Sequence, residues 1–239
     1  MSAAGALLFA RYAYPPNALG YCGPEGADAL LVPGAAADIA ARARQFEGAW
    51  SYLEFLAEAA GIADPLDEAV VEAYWIGSDL LAASDPRALT DRLLDRFRGQ
   101  SGGTWREAGD RAIPHHAFQV FEVYPWATLL EAGGHPVALS VLDQCRIRTG
   151  TVLSAGGETA QVRSRPLTWD GTVASPGDPR VETARWSAGG RSLLSGLAPG
   201  DRVALHWDWI CDVITAEQAT QIEATEAQVI SGRCSPPVR

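Results

Sequence analysis

The sequence of 239 residues contains no lysine, so all 19 of its basic side chains are arginines. This absence excludes a lysine Schiff base, and it excludes the lysine with which P-loop and protein-kinase sites contact phosphates. The G-x-G-x-x-G pattern of dinucleotide sites and the H-E-x-x-H pattern of metalloproteases are also missing. Several large enzyme classes are therefore not indicated.

Other features are scarce rather than absent. No apolar run reaches the roughly 18 residues that a membrane span needs, and the N-terminus lacks the features of a signal peptide. The four cysteines are scattered without a C-x-x-C pair, which favours free thiols in a reducing compartment. A net charge of −10 argues against nucleic acid and anionic membranes as partners. We expect a cytoplasmic protein with no nucleic-acid partner and no membrane insertion.

The first third of the chain has helical periodicity. Between residues 35 and 61, apolar side chains recur at three- and four-residue spacings from Ile39 to Leu56, as on one face of a helix. Asp64-Pro65 and Asp85-Pro86 each combine an N-cap residue with a first-turn proline, which predicts two more helices. This part of the chain therefore resembles a small helical domain.

Two segments of the N-terminal half break this pattern. The stretch 11–24, RYAYPPNALGYCGP, is rich in proline and glycine and predicts a loop rather than a helix. The stretch 116–126, HAFQVFEVYPW, has apolar residues on both alternating faces and predicts a buried strand that ends at Pro125.

From about residue 137 the chain changes to short β-type segments separated by turns, beginning with VALSVLD at 137–143. A last helix is predicted at 215–230, with Thr215 and Gln218 as its capping box. The predicted fold class is α+β, with a small OB-like β-barrel and a C-terminal helix behind a mainly helical domain. The predicted units are residues 1–136, residues 137–232 and a loose tail of residues 233–239.

Two stretches of the C-terminal part carry a family resemblance. CRIRTGTV at 145–152 contains a Cys-x4-Gly-x-Val pattern, and LAPGDRVALHWDWICDVITAEQA at 197–219 runs from Pro-Gly-Asp through Leu-His to a helix. Together they resemble the HypC/HupF family of small β-barrel chaperones of nickel–iron hydrogenase maturation. The resemblance covers roughly residues 145–230, and the N-terminal half is not assigned to a family.

The resemblance implies a site. In the HypC/HupF family a cysteine at the start of the chain and a histidine in the Val-x-Leu-His strand are linked with an iron fragment of the Fe(CN)2CO type. These residues correspond to Cys145 and His206, although 144 residues precede the cysteine here. The resemblance therefore implies binding of an iron fragment, or of a partner protein, through Cys145 and His206.

Residues around this pair have expected supporting roles. Arg146 and Arg148 are expected to lower the pKa of the Cys145 thiol, and their guanidinium groups could hydrogen-bond to ligands of iron. Alternate residues of a strand share a face. The face expected inside the barrel carries Val203, Leu205, Trp207 and Trp209. The opposite face carries Ala204, His206 and Asp208 and would present His206 and Asp208 at the edge of a site.

A second candidate site lies in the N-terminal half. Cys22, His115 and His116 could bind a metal if the two unusual segments meet, although adjacent histidines on a strand point apart, so that one of the two would ligate. The remaining candidates of segment 11–24 are Arg11, Tyr12, Asn17 and Tyr21.

Three functional hypotheses follow. The first is a HypC-like accessory protein for assembly of a metal centre, which binds a hydrogenase large subunit or a maturation factor. The second is an enzyme, metal-dependent or cofactor-free, whose site is built from segment 11–24 with His115 or His116. The third is a non-catalytic scaffold that binds another protein through its aromatic surface, since the chain has eight tryptophans.

Overall fold

The computed structural model describes residues 2–32, 34–99, 102–133 and 136–233. Helices form the N-terminal part, a closed five-stranded β-barrel follows, and a long helix ends the described chain. The α+β class and this order of parts are confirmed. The helices are α1 Ala3–Ala18, α2 Ala36–Ala43, α3 Glu47–Ala60, α4 Glu68–Trp75, α5 Pro86–Arg96, α6 His116–Phe118, α7 Trp126–Gly133, α8 Pro136–Cys145 and α9 Ala216–Arg233. The strands are β1 Arg148–Gly156, β2 Thr159–Ser164, β3 Leu167–Trp169, β4 Ala174–Pro176, β5 Arg180–Arg185, β6 Arg202–His206 and β7 Trp209–Val213.

Local sequence signals determine several helix ends. Asp85 caps α5 by accepting from the backbone N–H of Arg87, and Thr215 and Gln218 form the reciprocal capping box of α9, as predicted. The cap predicted at Asp64 is wrong, because Asp67 caps α4 while the carboxylate of Asp64 accepts from the N–H groups of Ser2 and Leu66.

The helical periodicity around residues 35–61 belongs to two helices rather than one. Helix α2 ends at Ala43 and α3 begins at Glu47, and the chain turns between them. Both helices bury residues of the predicted apolar stripe, including Ile39 and Leu56, so the buried set was predicted although the break was not.

The barrel has the strand order β1-β2-β5-β7-β6 and closes through antiparallel pairing of β6 with β1. All neighbouring pairs are antiparallel except β5 with β7. Alternating side chains of these strands fill the interior. They are Val152, Ala160, Val162, Ala184, Val203, Leu205 and Ile210. At Gly150, a Cβ atom would lie 2.5 Å from the side chain of Val162, so the close approach of strands explains this glycine of the Cys-x4-Gly-x-Val pattern.

Two predicted strands are helical. Residues 137–143 lie in α8, and residues 116–123 form α6 followed by a π-helical turn over Gln119–Val123. Phe118, Val120, Phe121 and Val123 are all buried, so the second segment is apolar on every side. A short apolar run of this kind fits a buried helix as well as a buried strand, and packing decides between them.

The prediction of a loop at residues 11–24 is also wrong for its first half. Helix α1 continues through Pro15 and Pro16 to Ala18, and both prolines are buried in its last turns. Proline removes one backbone donor but keeps a helical φ angle, so the helix continues with two carbonyl groups left without their usual partners. Segment 19–26 beyond it is irregular.

The helical part packs on the outer face of the barrel through one shared core. Ala204, Trp209 and Cys211 face this core together with residues of α1, α3 and α4. The prediction that Trp209 points into the barrel is therefore wrong, and so is the same prediction for Trp207, which lies in the turn after β6 and lines a cavity. None of the helices in the described part of the chain is long and apolar enough to cross a membrane.

Candidate metal centre

A cavity of about 200 Å³ lies between the helical part and the barrel. Its wall contains three possible metal ligands from three separate elements: His116 at the start of α6, Cys145 at the end of α8 and His206 at the end of β6. The Cys145 sulfur and one ring nitrogen of each histidine all lie within 4.8 Å of one another. The structure thus brings together Cys145 and His206, 61 positions apart, and adds His116 to them.

Hydrogen bonds hold the end of β6 against the end of α8. The backbone N–H of Trp207 donates to the carbonyl of Gln144 at 2.7 Å, and the guanidinium of Arg148 donates to the carbonyl of Trp207 at 2.8 Å. Trp207 has φ 57°, a left-handed conformation that is costly for a residue other than glycine. These bonds stabilise that turn and place His206 beside Cys145.

His206 is oriented by a carbonyl of α1. Its Nδ1 lies 2.7 Å from the carbonyl oxygen of Tyr12, and since a carbonyl can only accept, Nδ1 carries the proton. The other ring nitrogen, Nε2, then holds a lone pair. This Nε2 is buried and has no partner with the geometry of a hydrogen bond, although the Cys145 carbonyl lies near the ring.

Pro16 explains why the Tyr12 carbonyl is available. In a regular helix this carbonyl would accept from the N–H of residue 16, four positions later, but proline has no N–H. The freed oxygen accepts from His206 instead. The second of the two adjacent prolines thus connects α1 to the candidate site.

His116 has the same kind of arrangement. Its Nε2 lies 2.8 Å from the carbonyl oxygen of Cys145, so Nε2 is the donor and Nδ1 holds the lone pair. The Tyr74 hydroxyl donates a long hydrogen bond of 3.3 Å to Nδ1, and a metal on Nδ1 would replace it. A histidine that ligates a metal commonly donates its other N–H to a carbonyl in this way.

Electrostatics keep the site uncharged without a metal. Burial lowers the pKa of His116 to about 4 and lowers that of His206 well below its usual value, with the neighbouring His116 as a second cause for His206. Burial also raises the pKa of the Cys145 thiol, and so does the thiol of Cys22 across the cavity. Neutral imidazoles are ready to ligate, whereas the thiol must lose its proton, so binding of a divalent metal weakens as the pH falls.

The prediction that Arg146 and Arg148 lower the pKa of the Cys145 thiol is wrong. Both guanidinium groups are buried in ion pairs, Arg146 with Asp143 and Glu226 and Arg148 with Glu182, and the pKa of Cys145 is raised rather than lowered. These arginines connect structural elements instead.

The prediction that Asp208 lies at the edge of the site is also wrong. Asp208 is exposed in the turn between β6 and β7. Its backbone carbonyl accepts from the N–H of Arg185. A strand that continued past His206 would have placed Asp208 on the same face as His206, but the chain turns at Trp207.

Two of the three residues of the second predicted site line one cavity. Cys22 lines the same cavity as His116, but it is not one of the three clustered ligands, and burial raises its pKa to about 12. His115 is not in the cavity wall, since its Nδ1 accepts from the N–H of Ala117 and caps α6. Of the two adjacent histidines, His116 is the one in the cluster, and its ligation of a metal stays a prediction.

The other candidate side chains of segment 11–24 make structural contacts outside the cluster. Arg11 donates to the carboxylate of Asp212 in β7, and the buried ring of Tyr12 stacks on Trp75. The Asn17 amide donates to the carbonyls of Cys22 and Pro24, and Tyr21 stacks on Trp207 at 4.1 Å between ring centroids.

Sequence reasoning missed three residues of this region: Pro16, Tyr74 and Gln119. The proline at position 16 was visible, but its significance depends on His206, which lies 190 residues away in the chain. Tyr74 lies in a predicted helix and Gln119 in a predicted apolar strand, and no local pattern distinguishes either residue as part of a site.

These features define a protein in which helices cover a closed β-barrel and enclose a His-Cys-His cluster with two buried imidazoles and a half-buried thiol. The chain belongs to a family of unknown function, DUF6390, whose model matches residues 1–233. No curated protein and no solved structure matches it.

Proposed function

We propose that this protein binds a transition metal, or a small metal fragment, through His116, Cys145 and His206. It would act as a HypC-like accessory protein in the assembly of a metal centre. The observation that carries the proposal is the buried Nε2 of His206, a member of the His-Cys-His cluster, which has no hydrogen-bond partner. A buried polar atom without a partner costs about 1–3 kcal/mol, and a metal ion would offset that cost.

The donor set fits a transition metal. One thiolate and two imidazoles suit zinc, copper and iron, whereas magnesium and calcium prefer oxygen ligands. Ligand atoms of a tetrahedral site lie roughly 3.5 Å apart, as follows from metal–ligand distances of about 2.0–2.3 Å. Atoms up to 4.8 Å apart would therefore move about 1 Å closer on binding.

Three protein ligands leave coordination positions open, and the neighbouring cavity has room for other ligands on the metal. This supports the iron fragment of the Fe(CN)2CO type that the HypC/HupF resemblance implies. The strand order of the barrel, with its single parallel pair between the third and fifth strands, supports the OB-like interpretation. The partner would be a hydrogenase large subunit or a maturation factor, and neighbouring genes for such proteins would support this assignment.

The N-terminal part would have a specific purpose in such a protein. In the HypC/HupF family the cysteine begins the chain, whereas here the preceding residues supply His116 and most of the wall of the cavity. The proposed site is thus a buried pocket with three protein ligands rather than an exposed pair.

Metal content tests the proposal. After anaerobic incubation of untagged protein with Fe²⁺ and removal of free metal, we expect about one iron per chain by elemental analysis. His116→Leu is expected to reduce this content strongly. His115→Leu, which removes an adjacent and equally buried imidazole outside the cluster, is expected to retain it. Equal iron in the wild type and in His116→Leu would contradict the proposed site.

Pro16→Ala tests the link between α1 and His206. The alanine restores an N–H that competes with His206 for the Tyr12 carbonyl, so we expect roughly 10–100-fold weaker metal binding, as for other outer partners of ligating histidines. Pro15→Ala is the matched control, since it restores a bond to the carbonyl of Arg11 instead. Competition titration measures both affinities, and equal affinities for the two variants would refute the role of Pro16.

A metal-dependent enzyme is the second candidate. The open coordination positions beside a cavity favour it, because catalytic metal sites keep a position for substrate. Conversion of a small substrate by the iron-loaded protein would favour the enzyme, and transfer of iron to a partner protein would favour the accessory protein. The scaffold hypothesis stays a prediction.

A further inference from the structure

Gln119 is a buried amide without a hydrogen-bond partner in the wall of the cavity. It is 1 % exposed, and neither its Oε1 nor its Nε2 has a partner. The Tyr124 hydroxyl lies close enough to interact with the amide, but outside the distance and angle of a well-formed hydrogen bond. Gln119 also begins the π-helical turn, a feature that often marks functional sites.

The rest of the wall combines aromatic rings and small apolar side chains with the His-Cys-His cluster. Trp75 and Trp207 each have an indole N–H without a hydrogen-bond partner, and Phe46 and Trp126 contribute further rings. Among the described residues, no arginine, aspartate or glutamate lines the cavity. A charged ligand would find no counter-ion there, and its desolvation would be costly.

The size of the cavity limits the ligand. An apolar cavity of about 150 Å³ holds benzene. The volume of about 200 Å³ found here therefore accommodates one six-membered ring with a small polar substituent. The amide of Gln119 offers one donor and one acceptor side by side, which matches the edge of another amide.

We propose that the cavity binds a neutral, ring-sized organic molecule that carries a carboxamide or lactam group, and that Gln119 recognises this group by paired hydrogen bonds. This site goes beyond the proposed metal function. It requires neither the deprotonated thiol nor a metal, because Gln119 lies outside the His-Cys-His cluster.

Gly48 offers a way to close the cavity. It lies in α3 and lines the cavity, and a Cβ atom there would meet the Tyr124 hydroxyl at 3.6 Å and Gln119 Nε2 at 3.9 Å, both ordinary contacts. Gly48→Leu would thus place a side chain in the cavity without a backbone clash, and it also improves helix propensity.

The test uses benzamide, toluene and benzoate as probes in NMR titrations of metal-free protein. We expect wild-type protein to bind benzamide at least tenfold more tightly than benzoate, because the cavity provides no cation. Gln119→Leu is expected to lower the ratio of benzamide to toluene affinity by roughly tenfold or more, since paired hydrogen bonds to a buried amide are lost. Gly48→Leu should abolish binding of both neutral probes.

Gln161→Leu is the matched control, because Gln161 is an exposed glutamine on β2. It should leave all three affinities unchanged, and far-UV circular dichroism checks that every variant is folded. Equal benzamide binding by wild type and Gly48→Leu would overturn the proposal, and so would an unchanged affinity ratio in Gln119→Leu. Since every titration is made without metal, the result is separate from that of the iron experiment.

Discussion

Cys145→Ala is expected to abolish tight metal binding while leaving the fold intact. Loss of the thiolate removes the one soft, anionic ligand of the cluster, so affinity should fall by more than roughly a hundredfold, beyond the effect of losing an outer partner. Cys145 is half-buried beside a cavity, so the free energy of unfolding of the metal-free protein should change by less than about 1 kcal/mol. Titration with Co²⁺, followed through its thiolate charge-transfer band, measures the affinity.

Cys211→Ala is the matched control for this prediction. Cys211 is 1 % exposed in the shared core and lies outside the cluster. Its replacement should lower the free energy of unfolding by about 1 kcal/mol through lost packing but should leave the Co²⁺ spectrum unchanged. In the accessory-protein proposal, Cys145→Ala also abolishes capture of the partner. Unchanged Co²⁺ affinity in Cys145→Ala would show that the thiol is not a ligand.

Arg146→Met is expected to destabilise the protein by about 3–5 kcal/mol, because it leaves the buried carboxylate of Glu226 without its cation and leaves Asp143 with Arg180 alone, at 3.5 Å. Arg146 is 4 % exposed and donates to Asp143 in α8, to Glu226 in α9 and to the carbonyl of Arg165 before β3. Burial already raises the pKa of Glu226. Without the arginine its proton affinity rises further, so lowering the pH should partly restore stability.

The matched control is Arg98→Met. Arg98 also pairs with an aspartate three residues earlier, but both side chains are about four-fifths exposed. We expect its loss to lower the free energy of unfolding by less than about 1 kcal/mol, since exposed ion pairs contribute little to stability. Denaturant unfolding measures both changes.

The variant Arg146→Met also distinguishes between the two interpretations of Arg146, as an activator of Cys145 or as a structural ion pair. If Arg146 activated Cys145, as its sequence position suggested, Arg146→Met would slow alkylation of the thiol. The structure predicts that the alkylation rate of Cys145 in the folded protein stays as low as in the wild type, because burial rather than an arginine determines its pKa.

Local patterns predicted the barrel better than the helices. Strand β2 alternates between exposed and buried residues, and β6 follows a Pro-Gly-Asp turn. The two-residue periodicity and the turn residues therefore predicted strands where the structure has them. Helix α1 contradicts the rule that proline ends a helix, because Pro15 and Pro16 are both buried within it. The π-helical segment 119–123 is buried on all sides, so its pattern of apolar and polar residues has no periodicity that predicts a helix.

The candidate site was predictable in pieces. The family resemblance indicated Cys145 and His206. The two unusual segments of the N-terminal half indicated His116 and Cys22, but as a separate site. They share one cavity because α6 packs beside the end of α8 and the start of the barrel, an arrangement made by contacts distant in sequence. The orientation of His206 depends on a carbonyl 194 positions earlier in the chain, and no local pattern encodes such a bond.

X-ray absorption at the iron edge of the loaded wild-type protein tests the central claim most directly. Ligation by His116, Cys145 and His206 predicts one sulfur neighbour at about 2.3 Å and two imidazole nitrogens at about 2.0–2.1 Å. A spectrum without a sulfur neighbour, or one unchanged by Cys145→Ala, would contradict it.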